Sequence, residues 1–190
     1  MRYLAFGASQ REGSHNAALA RYATEIVRKA RMDTDLLDFH AICPPIYDDN
    51  AYLESELPEP VLLFLEHVRR ADALIIASPE YNWSYSGALK TLIDWLSLLR
   101  PYPLQGKPVL LLSASPSRRG GLMGLAQLKL PLSALGAHVY PQMFALGHAY
   151  DAFDRDGILR DNDLRAELQQ LLFGFMEMTE AFASRYRTGG

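Results

Sequence analysis

Short apolar runs alternate with longer segments of helical periodicity along the chain, and this alternation constrains the fold more than any other feature. The apolar runs have the length of β-strands, and three of them are apolar almost throughout, as strands covered on both faces are. Parallel strands linked by covering helices show this pattern. We therefore predict five strands, at residues 3–7, 35–39, 73–78, 109–113 and 137–140.

Five segments between and after these runs carry apolar residues at steps of three and four, which is the spacing of one helix face. They predict helices around residues 19–30, 61–68, 89–99, 125–135 and 164–182. Within the third helix we expect Trp95 in the core and Lys90 on the surface. The rule that crossover connections are right-handed leaves an α/β fold, a doubly wound three-layer sandwich, as the simplest arrangement.

Composition bounds the class of protein. A length of 190 residues and a hydrophobic content of 49% fit one folded domain spanning residues 1–190. The formal net charge of −3 and the lack of a dense Lys/Arg run argue against nucleic acid or an anionic membrane as the main partner. No apolar stretch approaches the roughly 18 residues of a membrane helix, and the first residues do not resemble a signal peptide.

Cysteine usage indicates the compartment. Cys43 is the only cysteine, so an intramolecular disulfide is excluded and a cysteine-based zinc site is disfavoured. We expect a cytoplasmic protein in which Cys43 is a buried or half-buried apolar residue. Position 49 is Asp, so Cys43 also lacks the Arg that a cysteine phosphatase places six residues after its nucleophile.

A polar loop follows the first predicted strand, and ligands of open α/β sheets bind in loops at the carboxyl ends of strands. It reads G-A-S-Q-R-E-G-S-H-N over residues 7–16. Hydroxyls, a guanidinium and the free N–H groups of a helix start bind phosphate well, and Ser14 is placed to cap that helix. An ordinary strand-to-helix turn is the alternative. The loop matches neither a Walker A motif nor the glycine pattern of a dinucleotide fingerprint.

The loop after the third predicted strand is rich in aromatic residues. It places Tyr81, Trp83 and Tyr85 beside Pro79 and Asn82. Proline stiffens a loop and aromatic rings supply flat contact area, which suits a planar ligand. The alternative is that Trp83 and Tyr85 pack between helices or subunits.

Motifs in these two loops resemble the NADPH-dependent FMN reductase family, whose members include chromate, quinone and azo reductases. The first is S-x-R-x-x-S-x-N over residues 9–16, and the second is P-E-Y-N-x-S-x-x-G-x-L-K-x-x-I-D-W over residues 79–95. The similarity continues at residues 106–109, 113–121 and 153–157, so it spans most of the chain. This chain departs from the family pattern at Ala8, where Gly is usual, and at Ser86, where Pro is common.

The resemblance implies a flavodoxin-like three-layer sandwich with five parallel strands in the order 2-1-3-4-5, bound FMN, and a homodimer or homotetramer built around the helix that follows the P-E-Y-N loop. No catalytic side chain is implied, because the flavin carries the chemistry. By resemblance, the FMN phosphate would be held by Ser9, Arg11, Ser14 and Asn16, with the backbone of His15 as a further donor. The ring and ribityl chain would be bordered by Pro79, Glu80, Tyr81 and Asn82, and the other side of the flavin by Ser113, Ala114 and Ser115.

The function implied is an oxidoreductase that carries electrons from NADPH or NADH through FMN to a small acceptor, such as a quinone, an azo compound, a metal oxyanion or free flavin. Two other classes remain open. One is a flavin-binding electron carrier or redox sensor without substantial NAD(P)H turnover, and the other is a flavin-free enzyme acting on a phosphorylated ligand. Arg118 and Arg119 are interpreted as a solvated pair, with a contact to the 2′-phosphate of NADPH as the alternative.

No metal site is expected. The five histidines are scattered without the spacing of metal ligands. The loop over residues 44–59 is rich in Pro and acidic residues, and we interpret its carboxylates as a solvated surface rather than a cation site. They include Asp48, Asp49, Glu54 and Glu56.

Overall fold

The computed structural model describes residues 1–48 and 57–188, so Asp49, Glu54 and Glu56 of the acidic loop lie outside the described residues. Five strands form one parallel sheet in the order β2-β1-β3-β6-β7, and a further two form an antiparallel pair. This is the flavodoxin-like order, which confirms the predicted topology. The strands are β1 (Arg2–Gly7), β2 (Asp33–Leu37), β3 (Ala73–Ala77), β4 (Glu80–Tyr81), β5 (Ser84–Tyr85), β6 (Pro108–Ala114) and β7 (His138–Leu146).

Helices cover both faces of the five-stranded sheet. They are α1 (His15–Lys29), α2 (Glu59–Arg70), α3 (Gly87–Ser97), α4 (Leu122–Ala134) and α5 (Asn162–Thr188). Alternation along β1 separates two cores: Phe6 packs with Phe64 of α2, whereas Tyr3 packs with Phe175 of α5. Because side chains of both faces are buried, β1 is apolar throughout. The predicted three-layer α/β sandwich is confirmed.

The two edge strands depart most from their predicted bounds, because edge strands tolerate polar residues and proline. β2 begins and ends two residues earlier than the prediction of 35–39, and Asp35 inside it lies 2.9 Å from the guanidinium of Arg2. β7 runs on to Leu146 through Pro141, well beyond the predicted end at residue 140.

Several single-residue predictions are confirmed. Trp95 is 2% exposed, whereas Lys90 lies on the surface with its Nζ 2.6 Å from Asp94. Cys43 is half-buried, and burial raises the pKa of its thiol. Within residues 1–48 and 57–188, every helix is too short or too polar to span a lipid bilayer.

Candidate functional site

The loops after β1, β3 and β6 meet at the carboxyl edge of the sheet. β1 and β3 are neighbours, but the chain leaves β1 for the outer strand β2 and leaves β3 for β6, so the strand order reverses between them. Ligands of open α/β sheets bind in the crevice at such a switch point. The predicted phosphate loop, residues 8–14, and the aromatic loop, residues 78–86, therefore border one crevice.

The phosphate loop turns tightly into α1. Ser9 Oγ accepts a hydrogen bond of 3.3 Å from the N–H of Arg11. Ser14 Oγ accepts one of 3.3 Å from the N–H of Ala17, which confirms Ser14 as the N-cap of α1. Both serines are more than nine-tenths buried, whereas Arg11 is exposed. With the free N–H groups of the first helical turn, the loop offers hydroxyls, amides and one guanidinium to an anion.

Asn16 joins the start of α1 to the end of β6. Its Nδ2 donates to the carbonyl of Ala114 at 2.9 Å, and its Oδ1 accepts from the N–H of Ala114 at 2.9 Å. Asn16 is 4% exposed, and this pair uses both polar atoms of its amide. The side chain therefore fixes the separation of two crevice walls, a role that the motif alone did not reveal.

The aromatic loop is a small hairpin that the sequence did not predict. β4 and β5 pair antiparallel, and the turn residues Asn82 and Trp83 have φ values of 50° and 68°. Positive φ at both positions is typical of a type I′ turn. Asn adopts this conformation readily but Trp rarely does, so the usual sequence signal for the turn is missing. Trp83 and Tyr81 are each more than half exposed beside the crevice.

Glu80 connects this hairpin to α4. Its Oε2 accepts a hydrogen bond of 2.9 Å from the N–H of Gly124 in the first turn of α4, where the helix dipole favours a carboxylate. The approach is close, since a Cβ added at Gly124 would lie 3.1 Å from the Cβ of Glu80. Glu80, which was predicted to border the flavin mainly through its backbone, therefore uses its carboxylate to hold the start of α4.

Ser86 connects the aromatic loop to the phosphate loop. Its Oγ donates to the carbonyl of Ala8 at 3.2 Å and accepts from the N–H of Leu89 at 3.2 Å, which caps α3. Ser86 is 3% exposed. A proline at this position has no hydroxyl for either bond, so this departure from the family pattern adds a link between the two loops.

The residues predicted to border the other side of the flavin lie at the end of β6, and only two of the three line the crevice. Ala114 and Ser115 line the crevice, but Ser113 is fully buried, and its Oγ has no hydrogen-bond partner among the described residues. The carbonyl of Ser115 accepts a hydrogen bond of 3.1 Å from the N–H of Ala149, so the loop after β7 supports this wall.

Ten of the twelve residues predicted to bind the cofactor line one cavity. The exceptions are Asn82, in the turn of the hairpin, and Ser113, inside the sheet. The enclosed volume is about 90 Å³, well below the roughly 300–1,000 Å³ of pockets that surround a whole small ligand. The cavity suits a phosphate-sized group, and the rest of a larger ligand would lie on the open surface. Its lining is Ser9, Arg11, Ser14, His15, Asn16, Pro79, Glu80, Tyr81, Ala114, Ser115 and Pro116.

One polar atom in this lining is buried without a partner. His15 Nε2 makes no hydrogen bond to the described residues. Burial lowers the pKa of His15, and the positive charge of Arg11 lowers it further. The neutral ring can donate from Nε2, and buried polar atoms are normally paired. An oxygen of a bound phosphate would supply such a partner, so the residues present fit the phosphate of FMN.

A cation–π contact joins the hairpin to the loop after β6. The Cζ atom of Arg119 lies 4.5 Å from the ring centroid of Trp83, and both side chains are exposed. Arg118 is exposed beside it. The two arginines are at the surface as predicted, and Arg119 additionally links the two loops that border the open part of the crevice.

Residues 1–151 match the model of the family described as NADPH-dependent FMN reductase. The chain belongs to this family. An NAD(P)H-dependent FMN reductase from Pseudomonas aeruginosa is 36% identical over 174 residues, which cover 90% of this chain and 91% of that protein. A quinone reductase from Escherichia coli (strain K12) is 40% identical over 131 residues, or 69% of each protein.

Family membership agrees with the structure. The flavoenzyme NAD(P)H:(acceptor) oxidoreductase from Paracoccus denitrificans has a TM-score of 0.83 and 27% identity, covering 95% of this chain and 98% of that one. The family match includes all three crevice loops. FMN is therefore the cofactor of this FMN reductase family member, and NAD(P)H is its co-substrate.

Proposed function

We propose that this protein is an FMN-dependent NAD(P)H oxidoreductase that reduces small acceptors such as quinones, azo compounds, metal oxyanions or free flavin. The observation that carries the proposal is the crevice that gathers ten of the twelve residues predicted to bind FMN. Membership of the NADPH-dependent FMN reductase family supports the same activity. Among the relatives, the protein from P. aeruginosa is an NAD(P)H-dependent FMN reductase and that from E. coli a quinone reductase.

The enclosed end of the crevice receives the FMN phosphate. The hydroxyls of Ser9 and Ser14 and the N–H groups at the start of α1 surround it, and Arg11 adds a charge-assisted contact. His15 donates from Nε2, which has no other partner among the described residues. Asn16 acts through its paired bonds to Ala114, which hold the walls of the phosphate site together.

The open part of the crevice receives the ring. Pro79 and Tyr81 of the loop after β3 and Ser115 and Pro116 of the loop after β6 line the enclosed cavity, and the ring would extend from there onto the open surface. Glu80 keeps the hairpin in place through its bond to α4. Since only about 90 Å³ is enclosed, the ring keeps an open face that NAD(P)H and the acceptor can both approach.

The redox chemistry, uptake of a hydride from NAD(P)H and delivery of two electrons to the acceptor, would come from FMN when it is bound, so no nucleophilic side chain is needed. The chain supplies orientation, and its loop N–H groups favour negative charge on the ring. Because the acceptor approaches an open face of the ring, the shape of the crevice discriminates weakly between acceptors. We therefore expect the protein to use a broad range of them.

The proposal includes self-association, as a homodimer or homotetramer, in the cytoplasm. The resemblance implies contact through α3, and α4 adds exposed apolar surface that suits contact with a second copy of the chain, at Leu122, Met123 and Leu130, the last of these 74% exposed. Cys43 is the only cysteine, which favours a reducing compartment. Sedimentation should give two or four times the chain mass of 21.3 kDa, and a monomer would count against this part.

Steady-state oxidation of NADH and NADPH by the FMN-loaded protein tests the activity against each acceptor class, with apoprotein as the matched control. We expect oxidation that requires both FMN and an acceptor. Absence of FMN- and acceptor-dependent oxidation with both pyridine nucleotides would overturn the proposal.

A further inference from the structure

A second cavity adjoins the flavin crevice on the other side of the phosphate loop. It measures about 570 Å³ and lies between α1, the phosphate loop and the end of β2. It shares Ser9, Arg11 and Ser14 with the crevice, so the phosphate loop lines both cavities. Its volume lies within the roughly 300–1,000 Å³ typical of sites for small organic ligands.

The charged groups of the second cavity suit a ligand that carries both phosphate and hydroxyl groups. Arg11 and Arg21 supply positive charge, whereas Glu12 and Asp38 supply carboxylates that accept hydrogen bonds from hydroxyls. The Arg21 side chain is exposed, and its guanidinium makes no hydrogen bond or ion pair within residues 1–48 and 57–188. A bare phosphate would gain from the arginines but would be repelled by the carboxylates.

Asp38 lies where a ribose is commonly bound in dinucleotide-binding sheets. It directly follows β2, the neighbour of β1, and an acidic side chain at this end of that strand binds the ribose hydroxyls of adenosine in such folds. Its Oδ1 accepts a hydrogen bond of 3.0 Å from the N–H of His40, which fixes the carboxylate at the end of the strand. Leu36 and Leu37 supply apolar surface for a base.

We propose that the second cavity binds an adenosine 5′-phosphate group, as the second half of a dinucleotide whose first half lies in the flavin crevice. This inference rests on the proposed function for that first half. FAD and NAD(P)H both carry such a group. The shared residues Ser9, Arg11 and Ser14 favour FAD, because its two halves are joined at the phosphate that FMN already has.

Arg21→Ala tests the proposal, with Lys29→Ala as the matched control. Lys29 is an exposed cation on the last turn of α1, it does not line the cavity, and its removal changes the net charge equally. Binding of FMN and FAD to apoprotein is measured by quenching of flavin fluorescence, and binding of AMP and of inorganic phosphate by equilibrium dialysis. We expect Arg21→Ala to weaken the binding of FAD and of AMP about tenfold, while the affinity for FMN changes less than about twofold.

The outcomes separate the two sources of the adenosine phosphate. A rise of about tenfold in the KM for NAD(P)H in the FMN-loaded Arg21→Ala protein, with kcat and FAD affinity unchanged, assigns the group to the pyridine nucleotide and supports the cavity. Identical behaviour of Arg21→Ala and Lys29→Ala toward AMP, FAD and NAD(P)H overturns it. Wild-type protein that binds AMP but not FMN contradicts the proposed function while the adenosine phosphate site stands.

Discussion

The carboxylate of Glu80 lies 2.9 Å from the backbone nitrogen of Gly124, and this hydrogen bond links the aromatic hairpin to the first turn of α4. The N-cap of α4 is Gly121, which has no side chain to pair with the N–H groups of the helix start. Glu80 therefore caps α4 from another element and, through the same bond, keeps the hairpin beside the crevice.

Replacing Glu80 should destabilise both elements. We expect Glu80→Ala to lower the free energy of unfolding by about 1–2 kcal/mol, because a helix N–H loses its acceptor and a charge leaves the positive end of the dipole. Urea unfolding measures this loss, and Glu80→Gln, which keeps an acceptor oxygen, should lose less. Equal stability of Glu80→Ala and wild type would contradict the capping role.

Gly121 should not tolerate a side chain. Its φ is 88°, and an added Cβ would overlap the Oγ of Ser113. We expect Gly121→Ala to cost about 2–3 kcal/mol in unfolding free energy. Gly87→Ala is the control, since a Cβ there meets nothing within 4 Å at the start of α3. Similar unfolding midpoints for the two variants would show that β6 and the N-terminus of α4 are not packed as described.

Arg11→Ala should weaken FMN binding. Loss of a charge-assisted contact to phosphate costs about 1.5–3 kcal/mol, or roughly 10- to 100-fold in Kd. Arg11→Lys keeps the charge without the planar guanidinium, so its Kd for FMN should lie between those of wild type and Arg11→Ala. Titration of apoprotein with FMN gives the three constants. An unchanged Kd for Arg11→Ala would remove Arg11 from the phosphate site.

The stability that the contact between Arg2 of β1 and Asp35 of β2 contributes should depend on pH. The hydrogen bond from the Arg2 guanidinium lowers the pKa of Asp35, and a further hydrogen bond from His67 lowers it too. A lowered carboxyl pKa contributes stability above its unfolded value of about 4, and this stability is lost as the pH falls through the folded pKa. Asp35→Asn should therefore differ most from wild type above about pH 5.

Urea midpoints measured across this range check the pH dependence of Asp35. Asp33→Asn, which removes an exposed carboxylate from the same strand, should differ less from wild type. A difference between Asp35→Asn and wild type that stays constant from neutral pH to below about pH 4 would contradict the linkage.

The strands of the sheet could be predicted because β1, β3 and β6 are covered on both faces and must be apolar, whereas their order was predicted from the resemblance of the two loop motifs to the FMN reductase family. The bounds of β2 and β7 could not, since an ion pair between Arg2 and Asp35 lets the edge carry charge, and Pro141 is tolerated there. The hairpin escaped prediction because its turn uses Asn82 and Trp83 rather than a glycine pair.

The candidate site, like the sheet, has features that the sequence predicts and features that it does not. Residue types suited to phosphate indicated Ser9, Arg11 and Ser14 directly, and these line the crevice. The bonds from Asn16 to Ala114 and from Ser86 to Ala8 join residues 98 and 78 positions apart. A local motif contains no signal for such distant partners, so only the folded chain reveals how the loops are connected.

Bound FMN in this crevice should accept electrons from NAD(P)H. FMN-loaded protein is mixed anaerobically with NADPH or NADH while the flavin absorbance is followed. We predict that the absorbance bleaches within seconds to minutes with at least one of the two. A flavin that stays oxidised with both would contradict the oxidoreductase function and favour an electron carrier or redox sensor.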